Sequence, residues 1–429
     1  MTEAVGTDAA DAEATPVTEP ELLNEPRDGV PPVVESSDAL AETIAAFDAG
    51  TGPVAVDAER ASGYRYSQRA YLVQIRRAGA GTALIDPIAC PDLGMLGAAI
   101  MDAEWVLHAA TQDLPCLSEI GLRPLRLFDT ELAGRLAGLE RVGLGAMAES
   151  ILGYRLEKGH SAADWSTRPL PEPWLRYAAL DVELLIDLRD ALEAELDKQG
   201  KLAWAHEEFA ALTAIRTPPQ RPDPWRRTSG IHRLRSRRQL AAARALWEAR
   251  NEIARARDLA PGRVLPDSAI VDAVLTAPES EEALVRMPVF RGRATRRYAR
   301  TWYTALAAAA ALPEDGLPQA GPPGEGPPAP HRWAERDPAA AARLAVARGV
   351  IRTLSAELNI PAENLIPPDA VRRLAWSPPR EPTEETVAAQ LAESRARAWQ
   401  IGLLAGRLAE GLASEPPVPN DSAEEPVVG

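Results

Sequence analysis

The stretch Pro53-Val54-Ala55-Val56-Asp57-Ala58-Glu59 decides the fold of this chain. Its short apolar run, rich in valine, follows turn-forming residues and ends in two carboxylates separated by one residue, a pattern that predicts a buried β-strand. Because residues i and i+2 of a strand point to the same face, we expect Asp57 and Glu59 to project together from its carboxyl end. Two like charges side by side are costly unless a positive charge lies between them, and a divalent cation is the simplest such charge. The adjacent base, Arg60, is expected to point to the opposite face, so an ion pair is the weaker explanation.

Composition limits the classes of protein that this chain can belong to. Its 429 residues exceed one typical core, so two to three domains are expected, and a hydrophobic content of 46% indicates a globular protein. The two cysteines, Cys90 and Cys116, form no CxxC pair, which argues against a disulfide framework or a structural zinc site and fits a reducing cytoplasm. The sequence has no apolar run of about 18 residues and no basic region followed by an apolar one. We therefore predict a cytoplasmic protein without a membrane span.

Strand and helix patterns around the opening strand indicate an α/β domain. Two further strands, 69–77 and 82–85, follow it over short connections and are expected to pair antiparallel. The longest helical pattern, 173–198, has proline in its first turn and leucines four residues apart, and it predicts one continuous helix. Further helices are predicted at 37–46, 92–101, 112–120 and from 130, and further strands at 104–108 and 125–128.

The pattern also predicts how the chain is divided. The segment 259–266 resembles 359–367, and each follows an Ala/Arg-rich helix, which suggests two copies of one small helical domain. Chance is the alternative, because prolines punctuate any pair of helices. The predicted division is a disordered acidic tail at 1–32, an α/β domain at 33–215, a linker at 216–232, a helical domain at 233–312, a Pro/Gly-rich linker at 313–332, a second, diverged helical domain at 333–412, and a disordered tail at 413–429.

Three residues far along the chain are candidates to join the carboxylate pair. Asp113 follows a predicted strand, where the plain alternative is a helix cap. Tyr177 and Asp181 lie four residues apart, so the phenol and the carboxylate share one face of a helix. The plain alternative there is a packing tyrosine beside an exposed acid.

The order of these residues carries a resemblance. An Asp-x-Glu on the first strand, an Asp after a second strand and a Tyr-x-x-x-Asp on a helix resemble the DEDD exonuclease superfamily, in its tyrosine-containing branch. Leu127-Phe128-Asp129-Thr130, the segment ADWSTRPL at 163–170 and LRYAALDV at 175–182 narrow the resemblance to the ribonuclease D family over about residues 40–215. Ala58 and Ala163 stand where that family often has Thr and Ser. The helical domains are similar to the HRDC domain, so the resemblance implies a ribonuclease H-like mixed-sheet exonuclease domain followed by two small all-α HRDC-type domains.

The same resemblance implies the chemistry. Two divalent metal ions, Mg²⁺ or Mn²⁺, are expected at Asp57, Glu59, Asp113 and Asp181, since hard ions prefer carboxylate oxygens, and Tyr177 is expected to orient the attacking water. The implied reaction removes nucleotides from RNA 3′ ends, in precursor or structured RNA such as tRNA, and releases nucleoside 5′-monophosphates. No G-x-x-x-x-G-K-[ST] loop is present, so no nucleotide cofactor is expected.

The net charge of −15 conceals a basic block. Eighteen Arg face nine acids between Arg221 and Thr301, which indicates phosphate neutralisation without sequence specificity; a solvated surface is the plain alternative. Residues 331–412 hold 11 Arg and 10 acids and indicate a packing or positioning element. The candidate nucleic-acid contacts are Arg168, Arg235, Arg237, Arg238, Arg293, Arg296 and Arg297.

Two other functions stay open at this point. One is a DNA 3′→5′ exonuclease of the same superfamily. The other is a catalytically silent RNA-binding scaffold, which the loss of a metal carboxylate would indicate, and all four carboxylates are present.

Overall fold

The computed structural model describes residues 19–157, 159–214, 222–319 and 326–414. Its strands are β1 Glu21–Leu23, β2 Val33–Val34, β3 Thr51–Arg60, β4 Ala70–Ala78, β5 Gly81–Ile85, β6 Glu104–Leu107, β7 Arg126–Asp129 and β8 Tyr154–Leu156. Its α-helices are α1 Ser37–Ala49, α2 Gly94–Ala99, α3 Leu114–Glu119, α4 Thr130–Ala137, α5 Leu144–Met147, α6 Glu172–Glu183, α7 Leu185–Lys198, α8 Leu202–Thr213, α9 Arg237–Ala256, α10 Pro261–Val264, α11 Asp267–Thr276, α12 Glu281–Arg286, α13 Arg293–Arg296, α14 Ala299–Ala310, α15 Trp333–Arg336, α16 Pro338–Leu358, α17 Ala362–Leu365, α18 Pro368–Trp376, α19 Glu384–Glu393 and α20 Ala398–Ala413.

A six-stranded mixed sheet with the order β2-β5-β4-β3-β6-β7 forms the centre of the first domain. β3 pairs antiparallel with β4 and parallel with β6, and β4 pairs antiparallel with β5. The structure therefore confirms the predicted α/β class and the three consecutive antiparallel strands. Because β3 lies inside the sheet with helices packed on it, Val54, Ala55 and Val56 are all buried, as expected of a near-continuous apolar run. The carboxyl end of β3 is thus held between two neighbouring strands.

The helix predicted over 173–198 is wrong in one respect, since the structure breaks it at Leu184 into α6 and α7. Leucines four residues apart rotate by about 40° around a straight helix at each step, so one unbroken helix would turn some of them away from the sheet. With the break, Leu180, Leu188 and Leu196 are all buried. Because of this break, α6 has an orientation of its own, and one of its faces lies towards the carboxyl end of β3.

The N-terminal segment differs from the predicted disorder of 1–32, although residues 1–18 lie outside the described part. β1 pairs in parallel with β8, and Arg27, the single base of this acidic segment, lies 3.1 Å from Asp187 and 3.7 Å from the buried Glu183. Strand pairing and these ion pairs hold residues 19–32 against the first domain. Sequence composition alone did not reveal partners so far away along the chain.

The two helical blocks repeat one order of helices. In the first, α9 is followed by the one-turn α10 and by α11; in the second, α16 is followed by the one-turn α17 and by α18. A residue with positive φ follows the long helix in both blocks, Asp258 in the first and Asn359 in the second. The two blocks thus share this order of helices, and the internal duplication stays a prediction.

The second helical block shares a core with the first domain. One cluster of buried residues joins Phe128 and Phe209 to Trp333 and Leu344. The ammonium group of Lys201 donates hydrogen bonds to the carbonyl of Leu136, near the end of α4, and to that of Leu358, the last residue of α16. Asn359 also donates to the carbonyl of Gly138, whose positive φ and missing Cβ allow this approach. The structure therefore agrees with a packing or positioning role for this block.

The first helical block has its own core and docks on the loop that follows β3. The backbone N–H of Ala260 donates to the carbonyl of Tyr64 at 2.9 Å, and Asp258 accepts from the backbone N–H of Ser67 at 2.8 Å. Arg263 donates to the carbonyl of Gly63 at 2.9 Å and lies over the Tyr64 ring, 4.2 Å from its centroid. The loop that leaves the end of β3 is therefore held by another domain.

The described residues of the predicted linkers include regular structure. Of 216–232, the residues to 221 lie outside the described part, and two short 3₁₀ turns follow, Pro224–Arg227 and Ile231–Arg233, with Trp225 buried in the core of the first helical block. Of 313–332, residues 320–325 lie outside it, and Leu317 is buried against the same block. Of 413–429, residues 415–429 lie outside it. Among the described residues, no helix has both the length and the apolar character needed to cross a membrane.

Candidate active site

The carboxyl end of β3 opens into a cavity of about 540 Å³. Asp57 and Glu59 come from β3, Asp113 comes from the residue before α3, and Tyr177 and Asp181 come from α6. All five line this one cavity. The structure thus brings together every residue that the sequence nominated for catalysis.

Three of the carboxylates have the spacing of a metal site. Asp57, Glu59 and Asp181 each offer one carboxylate oxygen, and these oxygens lie within 4.8 Å of one another. Asp113 faces the same cavity outside this trio. A donor set made only of carboxylate oxygens fits a hard divalent cation such as Mg²⁺ or Mn²⁺ and does not fit a soft one.

The electrostatics of the cavity agree with a cation site. Burial raises the pKa of Asp57 to about 6. Burial, with the charges of Asp57, Asp181 and Asp113, raises the pKa of Glu59 to about 10. Burial and the charge of Asp57 also hold the pKa values of Asp113 and Asp181 well above the usual range. The fold keeps these four carboxylates together against mutual repulsion, and a bound divalent cation reverses that repulsion.

Asp113 is placed by the turn that precedes it and does not act as a helix cap. It occupies the N-cap position of α3, yet its side chain makes no capping hydrogen bond. The turn is held instead by the buried Asp129, whose carboxylate accepts from the backbone N–H groups of Ala109 at 3.1 Å and Ala110 at 2.9 Å. The capping alternative is therefore wrong, and the Asp113 carboxylate is left to the cavity.

Tyr177 presents its phenol to the carboxylates from one turn before Asp181. Its ring lies edge-on to His160, with 6.0 Å between centroids, and 6.4 Å from the buried Trp165. Burial and the charges of Asp181, Glu59 and Asp57 raise its pKa. The phenol is therefore neutral at pH 7, and a neutral phenol can orient a water molecule through a hydrogen bond.

Comparison with known proteins decides the family. A family model described as 3′-5′ exonuclease matches residues 31–197, one described as HRDC domain matches 239–306, and one described as 3′ to 5′ exonuclease C-terminal domain matches 326–412. Ribonuclease D of Acidiphilium cryptum is 34% identical over 295 residues, which cover 66% of this chain and 73% of that protein. The chain belongs to the ribonuclease D family. It is accordingly a metal-dependent 3′→5′ exoribonuclease, and the family resemblance read from the sequence is confirmed.

Solved structures agree with this assignment. The crystal structure of a protein from Bifidobacterium adolescentis is 39% identical, covers 92% of this chain and all of its own, and superposes with a TM-score of 0.83. Escherichia coli RNase D, described as an exoribonuclease involved in structured RNA processing, is 29% identical, covers 84% of this chain and 97% of its own, and has a TM-score of 0.64. The fold class, a mixed-sheet exonuclease domain followed by a helical HRDC region, is confirmed.

Sequence reasoning did not predict two residues that lie at this site. Gln74 of β4 lies opposite Asp57 in the sheet and donates from its amide to Asp57 Oδ2 at 3.2 Å. The available signal for it was a glutamine inside the apolar run Leu72-Val73-Gln74-Ile75. Arg60 was expected on the far face of β3, and that expectation is wrong: the β3–β4 register shifts between Glu59 and Arg60, and the Arg60 side chain lines the cavity.

Three arginines predicted to contact nucleic acid have structural roles instead. All five N–H donors of Arg168 are used within the protein, two on Asp86 and three on the backbone carbonyls of Trp165, Thr167 and Tyr71. Arg237 donates to carbonyls between Glu314 and Pro318, and Arg238 donates to the carbonyls of Ala310 and Leu312 and to the Glu314 carboxylate. Because their donors are occupied within the protein, these three arginines are not proposed as RNA ligands.

Proposed function

We propose that this protein shortens RNA from its 3′ end with two divalent ions, Mg²⁺ or Mn²⁺, and releases nucleoside 5′-monophosphates. The observation that carries the proposal is the convergence of Asp57, Glu59 and Asp181 within 4.8 Å, with Asp113 and Tyr177 on the same cavity. Precursor or structured RNA such as tRNA in the cytoplasm is the proposed substrate, supported by the structured-RNA role stated for the E. coli relative.

Each residue has a part in this chemistry. Asp57, Glu59, Asp113 and Asp181 would together hold the two ions. Glu59 and Asp181 would serve the activation of the attacking water, Asp113 would serve the side of the leaving group, and Asp57 would serve both. When bound, the ions supply a nucleophilic water at neutral pH and stabilise charge on the leaving oxygen. The Tyr177 hydroxyl orients the water.

An adjoining cavity supports a path for the RNA chain. This second cavity, of about 720 Å³, shares Tyr177 and Asp181 with the first. Arg141 lines it, is exposed, and has neither ion pair nor hydrogen bond through its side chain among the described residues. We propose that the upstream phosphates pass along this groove.

The first helical block offers the remaining proposed RNA ligands. Arg235, Arg293 and Arg296 are exposed and likewise have no side-chain ion pair or hydrogen bond within the part of the chain described. Arg297 is exposed beside Tyr298, 5.8 Å from the centroid of its ring. We propose that these four arginines hold the RNA backbone, because a guanidinium group without an ion pair can bind phosphate without first breaking one.

The test is incubation of the purified chain with 3′-labelled RNA and matched DNA in Mg²⁺, Mn²⁺ or EDTA. We expect labelled 5′-monophosphate as the first product, no product in EDTA, and no hydrolysis by Asp57→Asn, which still binds RNA. Endonucleolytic bands, EDTA-resistant cleavage or an active Asp57→Asn variant would refute the mechanism. A preference for the DNA strand would move the assignment to a DNA exonuclease.

A further inference from the structure

Arg60 reaches the catalytic cavity through an irregularity of the sheet. Glu59 lies opposite Leu72 and Arg60 opposite Ala70, so one residue of β4 is skipped between them. Such a shift breaks the strict alternation of strand faces and redirects a side chain. As a result Arg60 Nε lies 3.8 Å from Asp113 Oδ1, which places the guanidinium on the Asp113 side of the cavity.

The Arg60 guanidinium is only weakly used by the protein. Its distance to Asp113 is too long for a hydrogen bond, and the described residues provide no hydrogen bond or second ion pair to it. The side chain is 26% exposed. Among the described residues that line the cavity, it is the one permanent cation, because burial lowers the pKa of His108 to about 4 and leaves that imidazole neutral at pH 7.

These properties suit a phosphate ligand. A guanidinium presents a planar fork of five N–H donors that matches the oxygens of a phosphate group. Arg60 holds such a fork half-buried at the edge of the carboxylate site, where water is partly excluded and electrostatic interactions are stronger than in bulk solvent. A structural arginine would have its donors taken by the protein, as those of Arg168 are.

We propose that Arg60 binds the phosphodiester on the Asp113 side and stabilises the negative charge that develops on the departing 3′ oxygen. This inference rests on the proposed function. In the reaction the water oxygen forms the new bond to phosphorus, the P–O3′ bond breaks, the attacking water loses one proton to solvent, and the departing oxygen gains one from solvent. Arg60 keeps its proton throughout, because guanidinium does not titrate in this range, and it acts through hydrogen bonds and charge.

The test compares two substrates that differ in their leaving group. With RNA, the leaving group is the 3′ alkoxide, a poor leaving group. With uridine 5′-(p-nitrophenyl) phosphate, the leaving group is p-nitrophenolate, whose charge is delocalised and needs little stabilisation by the enzyme. We expect Arg60→Gln to lower kcat on RNA by about 10²–10³-fold, as the loss of one transition-state donor does, and to lower kcat on the nitrophenyl ester by less than about one tenth of that factor. Arg60→Lys should fall between. Arg348→Gln, which removes an exposed arginine that makes no side-chain ion pair or hydrogen bond with the described residues, should match the wild type.

A purely structural role for Arg60 predicts a different result. If it only positions Asp113, Arg60→Gln loses activity equally on both substrates, and the Mn²⁺ concentration for half-maximal activity shifts; either result would overturn the inference. An unchanged melting temperature in Arg60→Lys shows that the comparison concerns folded protein. Failure of the wild type to release 5′-monophosphates from RNA would instead refute the proposed function itself.

Discussion

The carboxylate of Asp129 holds the backbone N–H of Ala109 at 3.1 Å, across the end of the sheet. Ala109 has a φ of 58°, in the left-handed region that non-glycine residues rarely adopt. The hydrogen bonds that Asp129 accepts from this backbone therefore maintain a strained turn, and that turn carries Asp113 into the cavity. Asp129 touches no proposed substrate atom and is a positioning residue.

Replacing Asp129 by Asn should affect both stability and activity. The amide nitrogen presents a donor where the carboxylate accepted one from the backbone, so a buried N–H loses its partner at a cost of about 1–3 kcal/mol. We expect a lower midpoint in urea and a lower kcat with little change in KM. Asp92→Asn, at an exposed bond to the Gly94 N–H, should cost less and leave kcat unchanged. Normal kcat in Asp129→Asn would show that the turn does not need Asp129.

Removing one of the clustered carboxylates should stabilise the metal-free protein. Burial and three neighbouring carboxylates raise the pKa of Glu59 to about 10, so folding at pH 7 requires uptake of a proton that the unfolded chain does not bind. Glu59→Gln removes that cost, and we expect a higher melting temperature in EDTA, by about 2–4 °C for each kcal/mol recovered. Mg²⁺ should raise the melting temperature of the wild type and much less that of the variant. The control is Glu119→Gln, at an exposed carboxylate, which should respond to Mg²⁺ as the wild type does. An equal rise in melting temperature with Mg²⁺ in the wild type and in Glu59→Gln would argue against a metal at Glu59.

The ion pair of Asp86 and Arg168 should appear in the acid stability of the fold. Burial alone would raise the pKa of Asp86, but the bonds from Arg168 and the backbone N–H groups of Ile88 and Ala89 outweigh it and lower that pKa. Because the pKa of Asp86 is lowered in the folded state, the pair stabilises the protein fully at pH values above the ordinary aspartate pKa of about 3.9. This stabilisation is lost as the pH falls through the lowered pKa. Asp86→Asn should be less stable at pH 7 and should lose stability less steeply below about pH 4. Exposed Asp102→Asn is the matched control, and parallel curves for Asp86→Asn and wild type would contradict the assignment.

Arg263 should tie the first helical block to the rim of the active site. Its hydrogen bond to Gly63 and its position over the Tyr64 ring together contribute about 1–2 kcal/mol by ordinary values. Tyr64 lines the catalytic cavity, so Arg263→Ala should raise KM for RNA by up to about 10-fold, with a smaller change in kcat. Proteolysis within 61–69 should become faster. Arg286→Ala, on the exposed side of the same block, should change neither the KM for RNA nor the rate of proteolysis. An unaltered KM in Arg263→Ala would show that this contact of the block does not contribute to substrate binding.

The contribution of the unpaired arginines should appear in the salt dependence of RNA binding. The double variant Arg293→Gln/Arg296→Gln is expected to bind RNA more weakly and to reduce the slope of log K against log salt by about 0.7 for each phosphate that it no longer neutralises on a single strand. Arg168→Lys should lower the melting temperature and leave that slope unchanged. A slope unchanged in the double variant would remove these two arginines from the RNA interface.

Sequence periodicity predicted most of this fold, and it failed where a local irregularity or a distant partner intervened. The period-two pattern placed Asp57 and Glu59 correctly, and the four-residue spacing placed Tyr177 beside Asp181. The register shift after Glu59 reversed the expected direction of Arg60, and no pattern in the sequence marks such a shift. Arg168 looked free because its partner Asp86 lies 82 residues earlier in the chain.

The wide separation of the carboxylates also bears on how the protein is made. Asp57 and Glu59 are synthesised early, whereas Asp181 arrives only with α6, and the cavity needs both. No N-terminal fragment that ends before Asp181 holds the complete set of ligands. During synthesis, we therefore expect no hydrolysis until α6 has been made and has packed on β3.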